Sequence, residues 1–202
     1  MLLACSGNDI EQDIPQPKTT TEGIPFVATI SVGESSTTRA LTEDATNSQI
    51  VPSWAVGEKV ALIHNGVIDE MTVSAVVNAT ATIAGTITGS PVNGDNVTII
   101  YPSSAVDATT KDIKADLLTA QDGTLATIAA NYDVRKGTGK LNVGDVASLQ
   151  GNVSLDIQFA IVKFSLTDGT NAVSAKEFLI RDGSDQVITT VTPASATSTL
   201  YV

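Results

Sequence analysis

The sequence predicts an all-β protein. Only 4% of the 202 residues are aromatic and 16% are charged, whereas threonine, alanine and valine are abundant. Apolar residues alternate with polar ones in several short segments, which is the period of a strand with one buried face. Asn-Gly and Asp-Gly pairs, which favour tight turns, separate these segments. We therefore expect a β-sandwich carrying one or two short helices, followed from residue 151 by the start of a second β-sandwich.

The first strand is predicted near the N-terminus. Apolar side chains there occupy every second position and alternate with smaller or polar residues: Phe26, Ala28, Ile30 and Val32. This alternation predicts a strand whose apolar face enters a core. We assign residues 23–39 to this strand and the polar linker that follows it.

That polar linker ends at Arg39-Ala40. An arginine in a tract of small polar residues is accessible to an arginine-specific protease. A cut at this point would separate the core-forming strand from the rest of the chain. A solvated loop arginine is the plainer interpretation, because exposed loops are commonly polar.

Residues 40–150 contain the signals of a complete first domain. Trp54 is the single tryptophan and is expected to anchor the core. Asn65-Gly66 stands between apolar stretches at 60–64 and 67–77 and predicts a hairpin. Further strands are expected at 81–88 and 96–101.

The segment 103–136 differs in pattern. Residues 112–118 and 124–132 carry apolar residues at helical spacing, so each is a candidate short helix. Gly137-Thr138-Gly139-Lys140 does not satisfy a phosphate-binding loop, because Val134 replaces the required glycine and Leu141 replaces the required hydroxyl residue. We interpret this stretch as a turn.

Residues 151–202 return to strand patterns, with alternation from Val153 to Phe159 and apolar runs near 161–166, 178–181 and 187–191. About four strands are few for a self-sufficient sandwich. Residues 200–202 resemble the beginning of another strand. We therefore expect residues 151–202 to be an incomplete second domain.

Charge and composition exclude several function classes. Eleven basic residues against 22 acidic ones give a net charge of −11, which argues against nucleic-acid binding. One cysteine and one histidine cannot form a disulfide or a Cys/His zinc site within one chain. His64 is interpreted as structural, and acidic pairs such as Asp182 and Asp185 as turn residues. We expect no enzymatic activity, no metal and no cofactor.

The N-terminus suggests lipid attachment. Leu2-Leu3-Ala4-Cys5 resembles a bacterial lipobox, whose cysteine becomes the acylated N-terminus of an exported lipoprotein. Only four residues precede Cys5, so we expect the upstream part of a signal peptide to lie outside this sequence. The rest of residues 1–22 is polar, contains two prolines and is expected to be a tether.

The order of several motifs resembles the fimbrillin-like proteins of Bacteroidales, the superfamily of type V pilus subunits and their anchor and tip relatives. The resemblance extends over most of the chain. It rests on Leu-Leu-Ala-Cys, Thr-Thr-Arg-Ala, Trp-x-x-Gly-Glu-x-Val, Tyr-Pro-Ser, Gln-x-Gly-Thr before a short helix, Tyr-Asp, and then the run from Phe159 to Phe164.

This resemblance implies two transthyretin-like Greek-key β-sandwich domains and export to the outer membrane as a lipoprotein. It also implies that an arginine-specific protease cuts between Arg39 and Ala40, releasing the lipidated piece with the strand at 26–32. A strand from the next pilus subunit would then fill the groove by β-strand addition. The implied partners are other pilus subunits, the protease and, before processing, the membrane.

Two alternatives remain open. An unprocessed surface lipoprotein of this fold would keep Cys5 and serve as a pilus anchor or tip adhesin. A glycan-binding module would instead stack sugars on exposed aromatic side chains. The main candidates for such stacking are Trp54, Tyr101, Tyr132 and Tyr201.

Overall fold

A computed structural model describes residues 23–31, 42–44, 49–51 and 54–202. Within them the protein is all-β, as predicted. The strands are β1 (Ile24–Ser31), β2 (Thr42–Asp44), β3 (Gln49–Val51), β4 (Lys59–His64), β5 (Val67–Val77), β6 (Thr80–Ile87), β7 (Asn96–Tyr101), β8 (Val106–Asp107), β9 (Asp112–Ile113), β10 (Ala120–Gln121), β11 (Arg135–Asn142), β12 (Ser148–Leu149), β13 (Val153–Ser154), β14 (Asp156–Ile157), β15 (Lys163–Ser165), β16 (Phe178–Arg181), β17 (Val187–Val191) and β18 (Thr199–Tyr201).

One large sheet dominates the structure. Its strand order is β12-β11-β7-β4-β5-β6-β1-β13, and β14 also pairs with β11. The strands β12, β13 and β14 all belong to one short stretch, residues 148–157. Because β12 and β14 pair with β11 while β13 pairs with β1, this stretch joins the two ends of the sheet. The sheet therefore closes around its own core.

The core inside the closed sheet is mostly aliphatic, with a few aromatic side chains. It includes Trp54, as predicted, which is 2% exposed. Strand β4 is buried along nearly its whole length, since Leu62 faces this core and Ile63 faces a second, smaller cluster on the opposite side. Residues 105–134 contribute much of that second cluster and so cover the outer face of β4 and β7.

The hairpin at Asn65-Gly66 is confirmed. Both residues have positive φ, 45° and 77°, and join β4 to β5 in antiparallel register. Positive φ at both central positions is the geometry that asparagine and glycine tolerate best in two-residue hairpins. The sequence signal and the backbone therefore agree at this turn.

Of the two candidate helical segments one forms a helix, in agreement with the expected one or two short helices. A short α-helix, α1 (Leu125–Thr127), continues as a π-helical turn (Ile128–Tyr132), and Thr124 caps its start by accepting a hydrogen bond from Thr127 N at 3.2 Å. The other candidate, residues 112–118, does not form a helix. Its first two residues form β9, which pairs with β8, because Ile113 packs into the second cluster.

The turn expected at Gly137-Thr138-Gly139-Lys140 is also wrong. These four residues lie inside β11 and pair with β7. Glycine inside a strand often marks the close approach of another backbone rather than a turn. In this structure Gly137 and Gly139 allow residues 153–154 to approach β11 closely.

The region after residue 157 forms two small sheets. One has the order β10-β17-β16 and the other pairs β15 with β18, so residues 199–201 do form a strand. Strand β10 comes from the 103–134 region and pairs with β17, so the chain after residue 157 is hydrogen-bonded to that region. Alternation from Val153 to Phe159 does not give one continuous strand: Val153 and Leu155 enter the first core, whereas Ile157 is 48% exposed. The division into two domains at residue 151 stays a prediction.

Candidate functional site: the N-terminal strand and its groove

Strand β1 is paired along its whole length on one side. All eight of its residues align with β6 in antiparallel register, from Ile24 opposite Ile87 to Ser31 opposite Thr80. Gly23 allows the chain to enter this position, because a Cβ there would lie 2.5 Å from the carbonyl oxygen of Ile87. The N-terminal strand is thus an integral part of the sheet.

The predicted inward face of β1 is confirmed for the described residues. Phe26, Ala28 and Ile30 are 1%, 7% and 0% exposed and belong to the main core. Between them, Val27 points outward and is 46% exposed. Val32 was expected to continue this face, but it lies outside the described residues.

The second edge of β1 is held at separated points by residues 147–157, which we call the closing stretch. Val27 N donates to Ala147 O at 3.0 Å, and Ala147 N donates to the carbonyl oxygen of Pro25 at 2.7 Å. Further along, Leu155 N donates to Ser31 O at 2.8 Å. Between these points residues 148–150 turn away and bond to β11 instead. One edge of β1 is therefore continuous and the other is interrupted.

Two glycines in β11 let the closing stretch approach. A Cβ at Gly137 would lie 2.4 Å from the carbonyl oxygen of Ser154, and one at Gly139 would lie 2.7 Å from a methyl group of Val153. The sequence analysis missed these residues as part of the site. Their alternate spacing within an otherwise strand-like segment was the available signal.

Without β1, the closed sheet would have a groove between β6 and the closing stretch. The groove would expose the unpaired backbone of β6 along eight residues and the apolar pockets vacated by Phe26, Ala28 and Ile30. An unpaired edge next to apolar pockets is the arrangement that accepts an added strand. Backbone hydrogen bonds would supply affinity and the pockets would supply register.

The two described arginines are both held within strands. Arg135 is 6% exposed in β11, and its Nε donates to Asp133 Oδ1 at 3.0 Å. Arg181 ends β16, and its Nη1 donates to the carbonyl oxygen of Asp185 at 2.8 Å. Cys5, Arg39 and Ala40, the predicted lipidation and processing residues, lie outside the described residues.

The aromatic candidates for sugar stacking are not brought together on a surface. Trp54 and Tyr101 are 2% and 3% exposed and pack edge to face, with ring centroids 4.9 Å apart. Tyr132 and Tyr201 are partly buried around the short helix. Trp54 and Tyr101 are therefore core residues, and neither can stack on a sugar in this structure.

His64 is buried in the hairpin. It is 1% exposed, and its Nε2 lies 3.1 Å from Asp69 Oδ2. Asp69 also accepts hydrogen bonds from the backbone N–H and the hydroxyl of Thr88. The pair joins β5 to the end of β6, which is the structural role expected for this histidine.

Over the described ranges, no three acidic, histidine or cysteine side chains are grouped so that they could hold a metal ion. In the same part of the chain, no helix has both the length and the apolar character needed to cross a bilayer.

Comparisons with known proteins find distant similarity to solved structures. No family model matches the chain, and no curated protein matches it. Among solved structures, a "putative cell adhesion protein" from Bacteroides eggerthii DSM 20697 is similar over 80% of this chain, with 16% sequence identity and a TM-score of 0.32. The similar region covers 49% of that protein, so this chain spans about half of its length.

Proposed function

We propose that this protein is a structural subunit of a cell-surface pilus that serves adhesion. In this proposal the chain is exported to the outer membrane as a lipoprotein, an arginine-specific protease removes its N-terminal strand, and a strand of the next subunit takes the vacated place. The observation that carries the proposal is the position of β1, which completes both the sheet and the core.

Chain order makes β1 separable. It is the first described strand, and the strands that surround it all come from residue 80 onward. A single cut between β1 and residue 54 would therefore leave every other strand of the large sheet on one continuous chain. Arg39 lies in that interval.

After the loss of β1, the rest of the protein would accept only a replacement strand with a matching side-chain pattern. Burying a large aliphatic or aromatic side chain contributes roughly 1.5–3 kcal/mol, and Phe26 and Ile30 are both fully buried. A replacement must supply apolar side chains at the same alternate positions and pair with β6 over eight residues. When another copy supplies it, the contact is head-to-tail and does not close, so a fibre grows.

The surroundings of the other two arginines support Arg39 as the processing site. Arg135 is buried within a strand that is paired on both sides. Arg181 has an exposed side chain, but its backbone pairs with β17 and its guanidinium bonds to the turn that follows. Proteases act preferentially on exposed, unpaired segments. Arg39 is the third arginine and stands in a tract of serine and threonine.

The test is the mature N-terminus of the surface protein. The full-length gene is expressed in a Bacteroidales host, and the N-terminus of the exposed protein is determined by mass spectrometry. We expect Ala40, together with SDS-resistant ladders of subunits that disappear in Arg39→Ala. Arg181→Ala is the matched control and should leave both the N-terminus and the ladders unchanged.

An N-terminus at an acylated Cys5 without ladders would contradict a processed pilus subunit. That result would favour the second candidate, an unprocessed lipoprotein of the same fold acting as a pilus anchor or tip adhesin. The retention of β1 in the core is compatible with this alternative. A glycan-binding role has weaker support, since Trp54 and Tyr101 are buried.

A further inference from the structure

The residues that face each other across β1 and β6 alternate in size. On the inner face, each large side chain of one strand is paired with a small residue of the other: Phe26 with Gly85, Ala28 with Ile83, and Ile30 with Ala81. The five that carry a side chain all belong to the main core and are at most 7% exposed. Directly paired residues of antiparallel strands lie on the same side of the sheet with Cβ atoms about 4.5–5.5 Å apart, so their sizes must be complementary. We call this alternation the size order of the groove.

Gly85 gives the size order its widest position. Its φ is not positive, so the backbone conformation does not require a glycine there. A Cβ at Gly85 would instead lie 2.6 Å from Met71 Sδ. Met71 is 0% exposed on β5, and β6 lies between β5 and β1. Two large buried side chains, Phe26 and Met71, therefore stand on either side of a position that carries none, where another chain segment can approach closely.

The size order fixes the register of β1. Neither β1 nor β6 contains a charged residue, so charge pairing cannot set the register. A slip of one residue would turn the apolar side chains outward. A slip of two residues would place Phe26 opposite Ile83 or Ile87, both 0% exposed, and Ala28 opposite another small residue. One pair would then be overpacked while the other left a void, and both errors are destabilising.

We propose that the groove selects its replacement strand by this size order. The strand that qualifies has an aromatic side chain opposite Gly85, a small one opposite Ile83 and a branched aliphatic one opposite Ala81. The inference rests on the proposed replacement of β1 by a strand of the next subunit, and it specifies which strand of a partner can enter. Apolar character alone is insufficient, because the same side chains in another order would create an overpacked pair and a void.

The size order is tested first on the intact 202-residue chain, where processing plays no part. Ala28→Leu places a second large side chain opposite Ile83 and should lower the urea midpoint. Ile83→Ala enlarges the space at that pair, so the combined variant should be more stable than the sum of the two separate losses predicts. Ile87→Ala is the matched control, because Ile87 lies opposite Ile24 and its loss should simply add to that of Ala28→Leu. Additive losses in both combinations would overturn the proposal.

The second test compares replacement strands of identical composition. The purified chain is cut with an arginine-specific protease and mixed with isotope-labelled peptides of residues 22–33, and incorporation is measured by native mass spectrometry. The peptide with Phe26→Ala and Ala28→Phe should be incorporated about ten-fold less than the parent peptide. The peptide with Val27→Thr and Thr29→Val is the control, since both positions are exposed, and it should be incorporated like the parent.

A complementary change in the groove identifies the residue that excludes the swapped peptide. With Ile83→Ala in the cut chain, the peptide carrying Phe26→Ala and Ala28→Phe should regain part of its incorporation, because the space opposite position 28 is larger. Absence of this recovery would contradict the role of Ile83.

The outcomes separate this inference from the pilus proposal. Equal incorporation of all three peptides would overturn selection by size order and leave strand replacement standing. No incorporation of any peptide would overturn the strand replacement on which the inference rests, whatever the intact-chain variants show.

Discussion

The closed sheet and the region after residue 157 bury their apolar side chains to very different extents. Inside the closed sheet, one continuous core contains side chains from strands far apart in the sequence, from β1 to β13. After residue 157, the buried side chains are Thr189, Val191 and Leu200. Many large apolar side chains of that region are 39–53% exposed: Val162, Val173, Leu179, Val187 and Ile188.

The difference teaches what β1 contributes. The large sheet has nine strands, and it closes only because β1 bridges β6 and the stretch 147–155. The small sheets, of three and two strands, have no comparable strand and remain open. Exposed contiguous apolar surface marks a place where binding occurs. If β1 were removed, the closed sheet would open and expose apolar side chains, as the region after residue 157 does.

The largest expected effect is that of Phe26→Ala. Truncating a buried phenylalanine removes apolar contacts and leaves a cavity, so the free energy of unfolding should fall by about 3–5 kcal/mol. Urea unfolding followed by the fluorescence of the buried Trp54 measures this. Val27→Ala on the outward face is the control and should cost less than about 1 kcal/mol. Equal effects of the two variants would contradict the assigned face of β1.

The next-largest effect is expected from Gly137→Ala, at the contact between the closing stretch and β11. In Gly137→Ala the new methyl group would meet the carbonyl oxygen of Ser154, so the closing stretch must move away from β11. We expect a loss of about 1–3 kcal/mol. Hydrogen exchange should also accelerate at the amide of Leu155, which bonds to Ser31 O.

Gly144→Ala is the control for this substitution. Its Cβ would have its nearest neighbour at 3.7 Å, an ordinary contact, so protection at Leu155 should be preserved. Unchanged exchange in Gly137→Ala would show that the closing stretch does not depend on the glycine.

A third substitution tests how the open region attaches. Gly123 has φ of +76°, and a Cβ there would lie 2.7 Å from Leu200 and 2.9 Å from Val191. Gly151 has φ of +94° with open space around it, so Gly151→Ala reports backbone strain alone. Gly123→Ala should destabilise by about 1–2 kcal/mol more than Gly151→Ala.

The extra cost of Gly123→Ala should be local. Hydrogen exchange should accelerate at Tyr201, whose amide donates to Gly123 O, while β1 stays protected. Acceleration in both regions would mean that they unfold as one unit.

The smallest expected effect is electrostatic. A hydrogen bond from Lys136, and a second from the backbone N–H of Ile113, hold the pKa of Asp112 below its ordinary value. The ionised form is favoured in the folded state, so its contribution is present above the unfolded pKa near about 3.9 and is lost as the pH falls through the lower folded pKa. Because both side chains are partly exposed, the contribution is less than about 1 kcal/mol.

Asp112→Asn should therefore slightly destabilise the protein at pH 7 and reduce the loss of stability that occurs as the pH falls below the unfolded pKa of about 3.9. Urea midpoints across that interval measure the effect. Asp116→Asn, a change at an exposed position of the same segment, is the control. A steeper acid response in Asp112→Asn would contradict the role of this ion pair.

Local signals predicted the parts of the fold that local chemistry decides. Asn65-Gly66 specifies its hairpin through backbone conformation alone, and the alternation of Phe26, Ala28 and Ile30 specifies which face of β1 is buried. The capped start of the short helix at Thr124 is equally local. These features needed no knowledge of the distant chain.

Long-range packing decided the rest. The stretch 147–157 has strand-like alternation, but its pairing is divided between β1 and β11, and that depends on Gly137 and Gly139 lying opposite it. The same glycines suggested a turn when only neighbouring residues were considered.

The most direct measurement of the central claim is strand exchange at β1. The purified chain is cut with an arginine-specific protease and then mixed with an isotope-labelled peptide of residues 22–33, and the noncovalent complexes are weighed by native mass spectrometry. A peptide with Phe26 and Ile30 both changed to serine is the control. We expect the labelled peptide, but not its control, to replace β1 in the cut protein. A body that remains folded and monomeric without any bound strand would contradict the account.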